Sequence, residues 1–139
     1  MDVLVLIGRI LFVLLFLNSG VGHLVKTQAL SGYAAARGVP APGPAVIGSG
    51  VLMLAGALSV LLGIWADLGA LLLAVFLFPT ALLMHSFWKE TDPGARQIEM
   101  SAFFKDVSLG GAALMLMAFF SSVGGDLGLT ITRPLFDIS

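Results

Sequence analysis

The chain has 139 residues, of which 58% are hydrophobic and 11% are charged, and its mean hydropathy is +1.04. Soluble domains carry about 25% charged residues, so this composition excludes an ordinary soluble protein and leaves no room for a separate soluble domain. The net charge of −1 gives a nucleic acid no electrostatic attraction, and the lack of cysteine excludes disulfides, thiolate nucleophiles and cysteine-ligated iron–sulfur clusters.

Four long stretches of the chain are almost wholly apolar and nearly free of charged side chains. A helix needs about 20 apolar residues, at about 1.5 Å of rise per residue, to cross the hydrocarbon core of a bilayer. We therefore predict an all-α fold, an integral membrane four-helix bundle that occupies residues 1–139 as one transmembrane domain. The predicted spans are residues 3–24, 45–64, 68–88 and 102–123.

The first span leads into a connection of moderate hydropathy. Asp2 makes the N-terminus acidic and Arg9 interrupts the apolar run, so this segment does not have the pattern of a secretory signal. Residues 25–37 carry Tyr33 between two cations, which predicts a short interfacial helix or a re-entrant segment between spans one and two. Residues 38–44 contain three prolines, which stop that helix.

The later spans are joined by one tight turn and one polar loop. Asp67 marks the turn between the second and third spans, and the polar loop 89–100 precedes the fourth. Within the third span, Pro79 has no N–H and therefore frees the carbonyl of Val75, four residues back.

The distribution of lysine and arginine predicts the orientation in the membrane. Two of these residues, Arg9 and Arg133, lie on the side of the termini. The positive-inside bias therefore places both termini outside and the loops 25–44 and 89–101 in the cytoplasm. The cations on the cytoplasmic side are Lys26, Arg37, Lys89, Arg96 and Lys105.

Ionisable residues at the span ends are predicted to share one membrane depth, with Trp88 beside them. They are His23, His85, Lys105 and Asp106. Each such group inside a membrane costs about 2.5–3.5 kcal/mol on insertion scales, so their convergence marks the candidate ligand-binding site. The interpretation that we favour is a structural polar rim that closes the bundle. The alternative is a quinone-like or small-ligand site, in which His85 and Asp106 bind the ligand or relay protons.

Two further cofactor interpretations use the same histidines. A b-type haem would need His23 and His85 as axial ligands, but an alternating bundle places the first and third spans diagonally. Zinc would need a third ligand such as Asp106, and no spacing motif supports one. We therefore predict no metal site and disfavour haem. A quinone is the cofactor that this site could accommodate.

Arg9 lies about two turns into the first span, at the opposite end of the bundle. Asp67 and Asp126 are on the same side and are its natural counter-ions. We predict a structural ion pair between helix ends, in preference to an anion or headgroup site.

Several short motifs resemble those of DoxX-type membrane proteins over roughly residues 5–120. In the first half, the resemblance rests on Gly8-Arg9, Asn18-Ser19-Gly20, His23, Gly38-Val39-Pro40 and Leu61-Leu62-Gly63. In the second half, it rests on Met84-His85-Ser86-Phe87-Trp88, Asp92-Pro93, Phe103-Phe104-Lys105-Asp106 and Gly110-Gly111.

The resemblance implies a four-span bundle in a plasma (inner) membrane, in a bacterium. Relatives are associated with membrane oxidoreductase assemblies: a thiosulfate:quinone oxidoreductase subunit, and a complex that links a superoxide dismutase with a sulfurtransferase. The sequence departs from the family pattern at Met53, where members often carry a glutamate, and at Ser86 and Asp106, which replace an aspartate and an asparagine. The missing acid in span two weakens a proton-transfer role carried over from relatives.

These observations predict a membrane subunit or anchor of a redox-related assembly, with no independent enzymatic activity, because no nucleophile–base pair, metal motif or phosphate loop is present. The alternatives are a quinone-binding oxidoreductase subunit, with its site at His85, Lys105 and Asp106, and an oligomeric transporter of small molecules or lipids. The predicted partners are the lipid bilayer and a soluble or membrane oxidoreductase; a second copy of the chain remains an alternative, and a nucleic acid is excluded.

Overall fold

The computed structural model describes residues 1–136 and 138. The described chain forms five α-helices and one short 3₁₀ turn at Phe87–Lys89. The helices are α1 (Asp2–Val25), α2 (Thr27–Ala36), α3 (Pro42–Leu62), α4 (Ala66–Met84) and α5 (Pro93–Val123).

Within these residues, α1, α3, α4 and α5 are long and apolar enough to cross a membrane. The ten-residue α2 lies between the first two of them, where the sequence predicts an interfacial segment. The prediction of an all-α, four-helix membrane bundle is therefore confirmed, and the chain is a multi-pass membrane protein.

Helix ends depart from the predicted spans where local chemistry starts or stops a helix. Asp92 accepts a hydrogen bond from the N–H of Ala95 at 2.8 Å and Pro93 follows it, so α5 begins nine residues before the predicted start at 102. Helix α4 ends at Met84 and the chain continues into the 3₁₀ turn, whereas the predicted third span continues to 88. Gly63, at φ 66°, ends α3 in the left-handed conformation that glycine adopts easily.

Consecutive spanning helices are packed neighbours: α1 with α3, α3 with α4, and α4 with α5, while α2 rests on α3. Glycines bring the backbones close at these contacts. A Cβ atom added to Gly50 would lie 3.2 Å from the carbonyl oxygen of Gly20, and one added to Gly56 would lie 3.0 Å from that of Gly69. Small residues at helix interfaces allow this approach, as in other membrane bundles.

The bundle is apolar both inside and outside. Its centre contains bulky side chains from four helices, including Phe16, Met53, Leu73 and Phe120. Between 22% and 33% of each spanning window is buried in the protein. The large hydrophobic side chains exposed on the described surface are mostly leucine, valine, isoleucine and phenylalanine, which suits contact with lipid.

The segment after α5 folds back over the α3–α4 turn. The N–H groups of Ile131 and Thr132 donate to the carbonyl of Gly63 at 3.1 and 3.0 Å. Leu135 and Phe136 donate their backbone N–H groups to the carboxylate of Asp67 at 3.0 and 2.6 Å. This end of the bundle is therefore closed by the C-terminal segment.

Candidate functional site

One imidazole lies between two carboxylates at the end of the bundle that carries the polar loop. His85 follows the last residue of α4, and its Nδ1 is 2.8 Å from Oε2 of Glu99. Its Nε2 is 3.6 Å from Oδ2 of Asp106. Glu99 and Asp106 are seven residues apart on α5, which places them on one face two turns apart. The arrangement joins the end of α4 to one face of α5.

Arg37 extends this cluster to α2 and to the residue that follows the 3₁₀ turn. Its guanidinium donates to Glu90 and to Glu99, both at 2.8 Å. The hydroxyl of Tyr33 donates to the same Oε1 of Glu99 at 3.1 Å, and Arg37 lies over the Tyr33 ring with its Cζ 5.5 Å from the ring centre. Burial raises the pKa of the Tyr33 phenol above its ordinary value.

Lys105 and Asp106 complete the cluster. Lys105 Nζ lies 3.6 Å from Asp106 Oδ1. The lysine is 53% exposed and the aspartate 7%, so Lys105 bends towards a buried acid from the surface. We call this cluster the rim network; its members are Tyr33, Arg37, His85, Glu90, Glu99, Lys105 and Asp106.

Trp88 packs beside the rim network without a polar contact to it in the described residues. Its ring forms edge contacts with Phe87 and Phe103, at 5.3 and 5.7 Å between ring centres. The guanidinium carbon of Arg96 lies 5.7 Å from the centre of the Phe87 ring. The predicted ligand-binding residue is therefore part of an aromatic cluster that supports the loop.

His23, the remaining predicted residue, is separate from the rim network. Its Nδ1 lies 2.7 Å from the carbonyl oxygen of Ser19, one turn back on α1. Its ring forms an edge contact with Phe76, at 6.4 Å between ring centres. The structure therefore brings together His85, Lys105 and Asp106 from the predicted set, and places His23 elsewhere.

His23 lines a cavity of about 300 Å³ between α2, α3 and α4. The walls are mostly aliphatic, and polar atoms come from few side chains. The lining residues are His23, Leu30, Tyr33, Ala34, Val39, Ala45, Val46, Gly48, Ser49, Leu52, Val75, Phe76, Pro79, Thr80, Leu83 and Met84.

Arg9 has different partners from the predicted ones. Its side chain is 2% exposed and donates to the carbonyls of Val60 at 2.8 Å, Leu61 at 2.5 Å and Leu129 at 2.9 Å. Carbonyls in the last turn of α3 lack partners inside the helix, so a cation with several donors suits them.

The two predicted counter-ions of Arg9 lie apart from it. Asp67 is fully buried and accepts the two backbone N–H groups of the C-terminal segment, while Asp126 is exposed just after α5. The predicted ion pair of Arg9 with Asp67 or Asp126 is therefore replaced, within residues 1–136 and 138, by hydrogen bonds to backbone groups.

The sequence interpretation missed four members of the rim network: Tyr33, Arg37, Glu90 and Glu99. A signal was present for Glu99, because it precedes Asp106 by seven residues and so shares a helix face with it. It was missed because the predicted fourth span starts at 102, which leaves Glu99 in a loop. Arg37 and Glu90 lie in separate loops, and no local pattern joins them.

The rim network does not have the geometry of a metal or haem site. In the part of the chain that the structure describes, no three His, Asp or Glu side chains converge to hold a metal ion. Both ring nitrogens of His85 face carboxylates, so a haem iron would have to displace one of them.

Comparison with protein families identifies the bundle. The sequence model of the DoxX family matches residues 4–86, which is more than half of the chain. The chain belongs to the DoxX family. Searches of curated proteins and of solved structures found no match to this DoxX protein.

The matched region does not cover the whole site of this DoxX protein. It includes Arg9, His23 and His85, and the cavity walls from α2, α3 and α4. It ends at Ser86, before Glu99 and the rest of α5. The resemblance noted above at Lys105 and Asp106 therefore lies beyond the matched region, and the carboxylates that face His85 come from a helix outside it.

Proposed function

We propose that this DoxX protein is a membrane subunit or anchor of a redox-related assembly, acting in oxidative stress or sulfur metabolism, and has no independent activity. The observation that supports the anchor role is that ionisable groups near or inside the membrane bind other parts of the same chain. Arg9 and Asp67 bind backbone groups, and His85, which follows α4, contacts Glu99 and Asp106 on α5. Such groups fix helix positions and leave no nucleophile–base pair.

The redox association is supported by the family resemblance. DoxX-type relatives are associated with a thiosulfate:quinone oxidoreductase and with a complex of a superoxide dismutase and a sulfurtransferase. The partner of this chain is accordingly an oxidoreductase, soluble or membrane-bound, and the location is a bacterial plasma membrane.

The docking surface of this anchor is the polar loop and the first turns of α5, next to the rim network. Exposed residues there include Trp88, Arg96 and Ile98, the last 70% exposed. An aromatic, a cation and an aliphatic side chain on a rigid support are typical of protein-binding surfaces.

Co-purification from native membranes tests the anchor role. A tagged chain at native expression level is extracted in mild detergent, and accompanying proteins are quantified by mass spectrometry. We expect an oxidoreductase in constant ratio to the tagged chain. A pure species without partners at every expression level would overturn this function, as would recovery of copies of the chain alone.

Two charge reversals give a matched comparison. Arg96→Glu changes the proposed docking surface, whereas Arg133→Glu makes the same change in net charge on the exposed C-terminal segment. We expect the first to reduce partner recovery at least tenfold and the second to leave it unchanged. Equal recovery in both variants would count against this docking surface.

A second candidate is a quinone-binding subunit, and the position of His85 between Glu99 and Asp106 favours it. An imidazole with a carboxylate on each side can pass a proton to a quinone oxygen at the rim. Lipid extraction and an optical spectrum of the purified protein test it. Absence of any quinone after extraction from quinone-rich membranes would remove this candidate.

A further inference from the structure

The cavity between α2, α3 and α4 has polar wall atoms whose hydrogens are already in use. The hydroxyl of Ser49 donates to the carbonyl of Val46 at 2.9 Å, and that of Thr80 donates to the carbonyl of Phe76 at 2.7 Å. The hydroxyl of Tyr33 donates to Glu99 and accepts from the Arg37 guanidinium at 3.4 Å. None of the three hydroxyls therefore has a hydrogen left for the cavity, and those of Ser49 and Thr80 can accept one.

His23 also contributes a hydrogen-bond acceptor to the cavity. The carbonyl of Ser19 can only accept, so the ring nitrogen that lies 2.7 Å from it, Nδ1, carries the hydrogen. In the neutral ring, Nε2 is then an acceptor. No hydrogen-bond partner within the described residues occupies it.

Pro79 leaves one carbonyl of α4 without its usual helix donor. Proline has no N–H, so the carbonyl of Val75, four residues back, cannot form the ordinary hydrogen bond of a helix interior. Val75 and Pro79 both line the cavity. A carbonyl without a partner in an apolar environment costs free energy until a donor reaches it.

We propose that this cavity binds an apolar molecule that carries a hydroxyl hydrogen-bond donor, a lipophilic phenol or alcohol, and discriminates against the matching ether or ketone. A wall with acceptors only leaves the oxygen of an ether or a quinone facing lone pairs, whereas a hydroxyl can donate to His23 or to the Val75 carbonyl. The volume of about 300 Å³ suits a single small ring with a short alkyl chain.

The ligand enters from the bilayer. Val75 is 55% exposed and Pro79 is exposed, so the cavity opens on a helix face that lies among lipid chains. An apolar molecule concentrates there by partition and reaches the cavity without crossing water. The cavity shares only Tyr33 with the rim network among the described residues, and this proposal is independent of the proposed anchor role.

Two probes with the same ring and alkyl chain test the donor requirement. The detergent-solubilised protein is titrated with 4-pentylphenol and with 4-pentylanisole, and binding is followed by ligand-observed NMR against protein-free micelles. We expect the phenol to bind about tenfold more tightly, because one hydrogen bond to a buried acceptor separates the probes. A pentyl-substituted benzoquinone, which has acceptors only, should bind no better than the anisole.

Variants then locate the acceptors. Pro79→Ala returns an N–H that can satisfy the Val75 carbonyl, and His23→Phe removes Nε2 while keeping a ring against Phe76. We expect at least one of them to reduce the phenol-to-anisole ratio of affinities towards one, with anisole binding unchanged. Gly48→Leu adds a side chain at the wall, where a Cβ meets nothing within 4 Å, and should abolish both.

Three results would overturn the proposal, and the first needs no variant. Equal affinity for phenol and anisole in the unaltered protein would make the cavity an apolar crevice for lipid chains. An unchanged ratio in both Pro79→Ala and His23→Phe would remove the assigned acceptors. Undiminished phenol binding in a folded Gly48→Leu protein would place the phenol elsewhere.

Discussion

A buried arginine in a membrane helix needs enough acceptors to offset its desolvation, and Arg9 has them. Its three hydrogen bonds join α1 to the last turn of α3 and to the C-terminal segment. The last carbonyls of a helix carry partial negative charge and have no partner within the helix, so Arg9 acts as a cap supplied by another helix.

Substitution of Arg9 should show that hydrogen-bond number matters more than charge. We expect Arg9→Met to lower the free energy of unfolding by about 2–4 kcal/mol, because buried carbonyls lose their donors. Arg9→Lys keeps the charge but replaces a planar fork by one ammonium group, and should recover only part of the loss. Thermal unfolding in detergent measures both. Full stability of the methionine variant would contradict the capping role.

Tyr33 allows a direct pH measurement, because it is the only tyrosine in the 139-residue sequence. Burial holds the pKa of its phenol above the ordinary value of 10.0. A raised pKa means that the folded state favours the protonated phenol. Its contribution to stability is therefore complete below pH 10 and is lost as the pH rises through the folded-state pKa.

The tyrosinate absorbance near 295 nm should therefore have its midpoint above pH 10 in the folded protein. Glu99→Gln removes a negative charge and should lower that midpoint, whereas Arg37→Gln removes a cation and should raise it. A midpoint at or below 10 in the folded protein, or the same direction of shift in both variants, would contradict the hydrogen-bonded arrangement at the rim.

At the scale of elements, the contact between α3 and α4 depends on the absence of side chains. A Cβ atom on Gly56 would lie 2.9 Å from the Leu73 side chain and 3.0 Å from the carbonyl of Gly69. The helices approach so closely that the backbone of one borders the other. Gly111 on α5 has nothing within 4 Å of an added Cβ.

The two glycines give a matched pair of alanine substitutions. Gly56→Ala should destabilise the protein by about 1–3 kcal/mol, because the helices must separate to admit the methyl group. Gly111→Ala should be neutral or slightly stabilising, since alanine is the better helix former and has free space. Unfolding in detergent compares them, and equal effects would contradict close packing as the reason for Gly56.

At the scale of the whole molecule, the two ends of the bundle are built differently. One end is closed by backbone hydrogen bonds to Arg9 and Asp67 and by the C-terminal segment. The other carries the rim network and most of the lysine and arginine residues. The positive-inside rule predicts that the rim network lies at the cytoplasmic end, with both termini outside.

Reporter fusions measure this orientation. Alkaline phosphatase fused after residue 139 should be active and green fluorescent protein at the same position dark. Both reporters inserted after Thr91, in the loop before α5, should give the reverse pattern. Fluorescence at the C-terminus would show the opposite topology. The rim network and its proposed docking surface would then lie on the outer face of the membrane.

The sequence by itself determined that lipid surrounds most of this protein and how many spans it has. It also indicated approximately where the candidate site lies. Charge-free runs of about 20 residues cannot be buried in a 139-residue globule, so the bilayer follows from composition. The alternation of span direction likewise brings His85 and Asp106 to one depth. Both conclusions depend on one-dimensional distances along the chain, which a sequence records directly.

Only the tertiary structure decided which polar groups meet. Depth along the membrane normal says nothing about the direction in which a side chain points. His23 and His85 are predicted to lie at one depth, yet His23 lines a cavity that His85 does not line. The predicted depth of Arg9 would have allowed an ion pair with either Asp67 or Asp126. Arg9 instead donates hydrogen bonds to carbonyls of α3. Such partners depend on helix rotation and close packing through glycine contacts, which are set by the fit of whole surfaces and not by spacing along one helix.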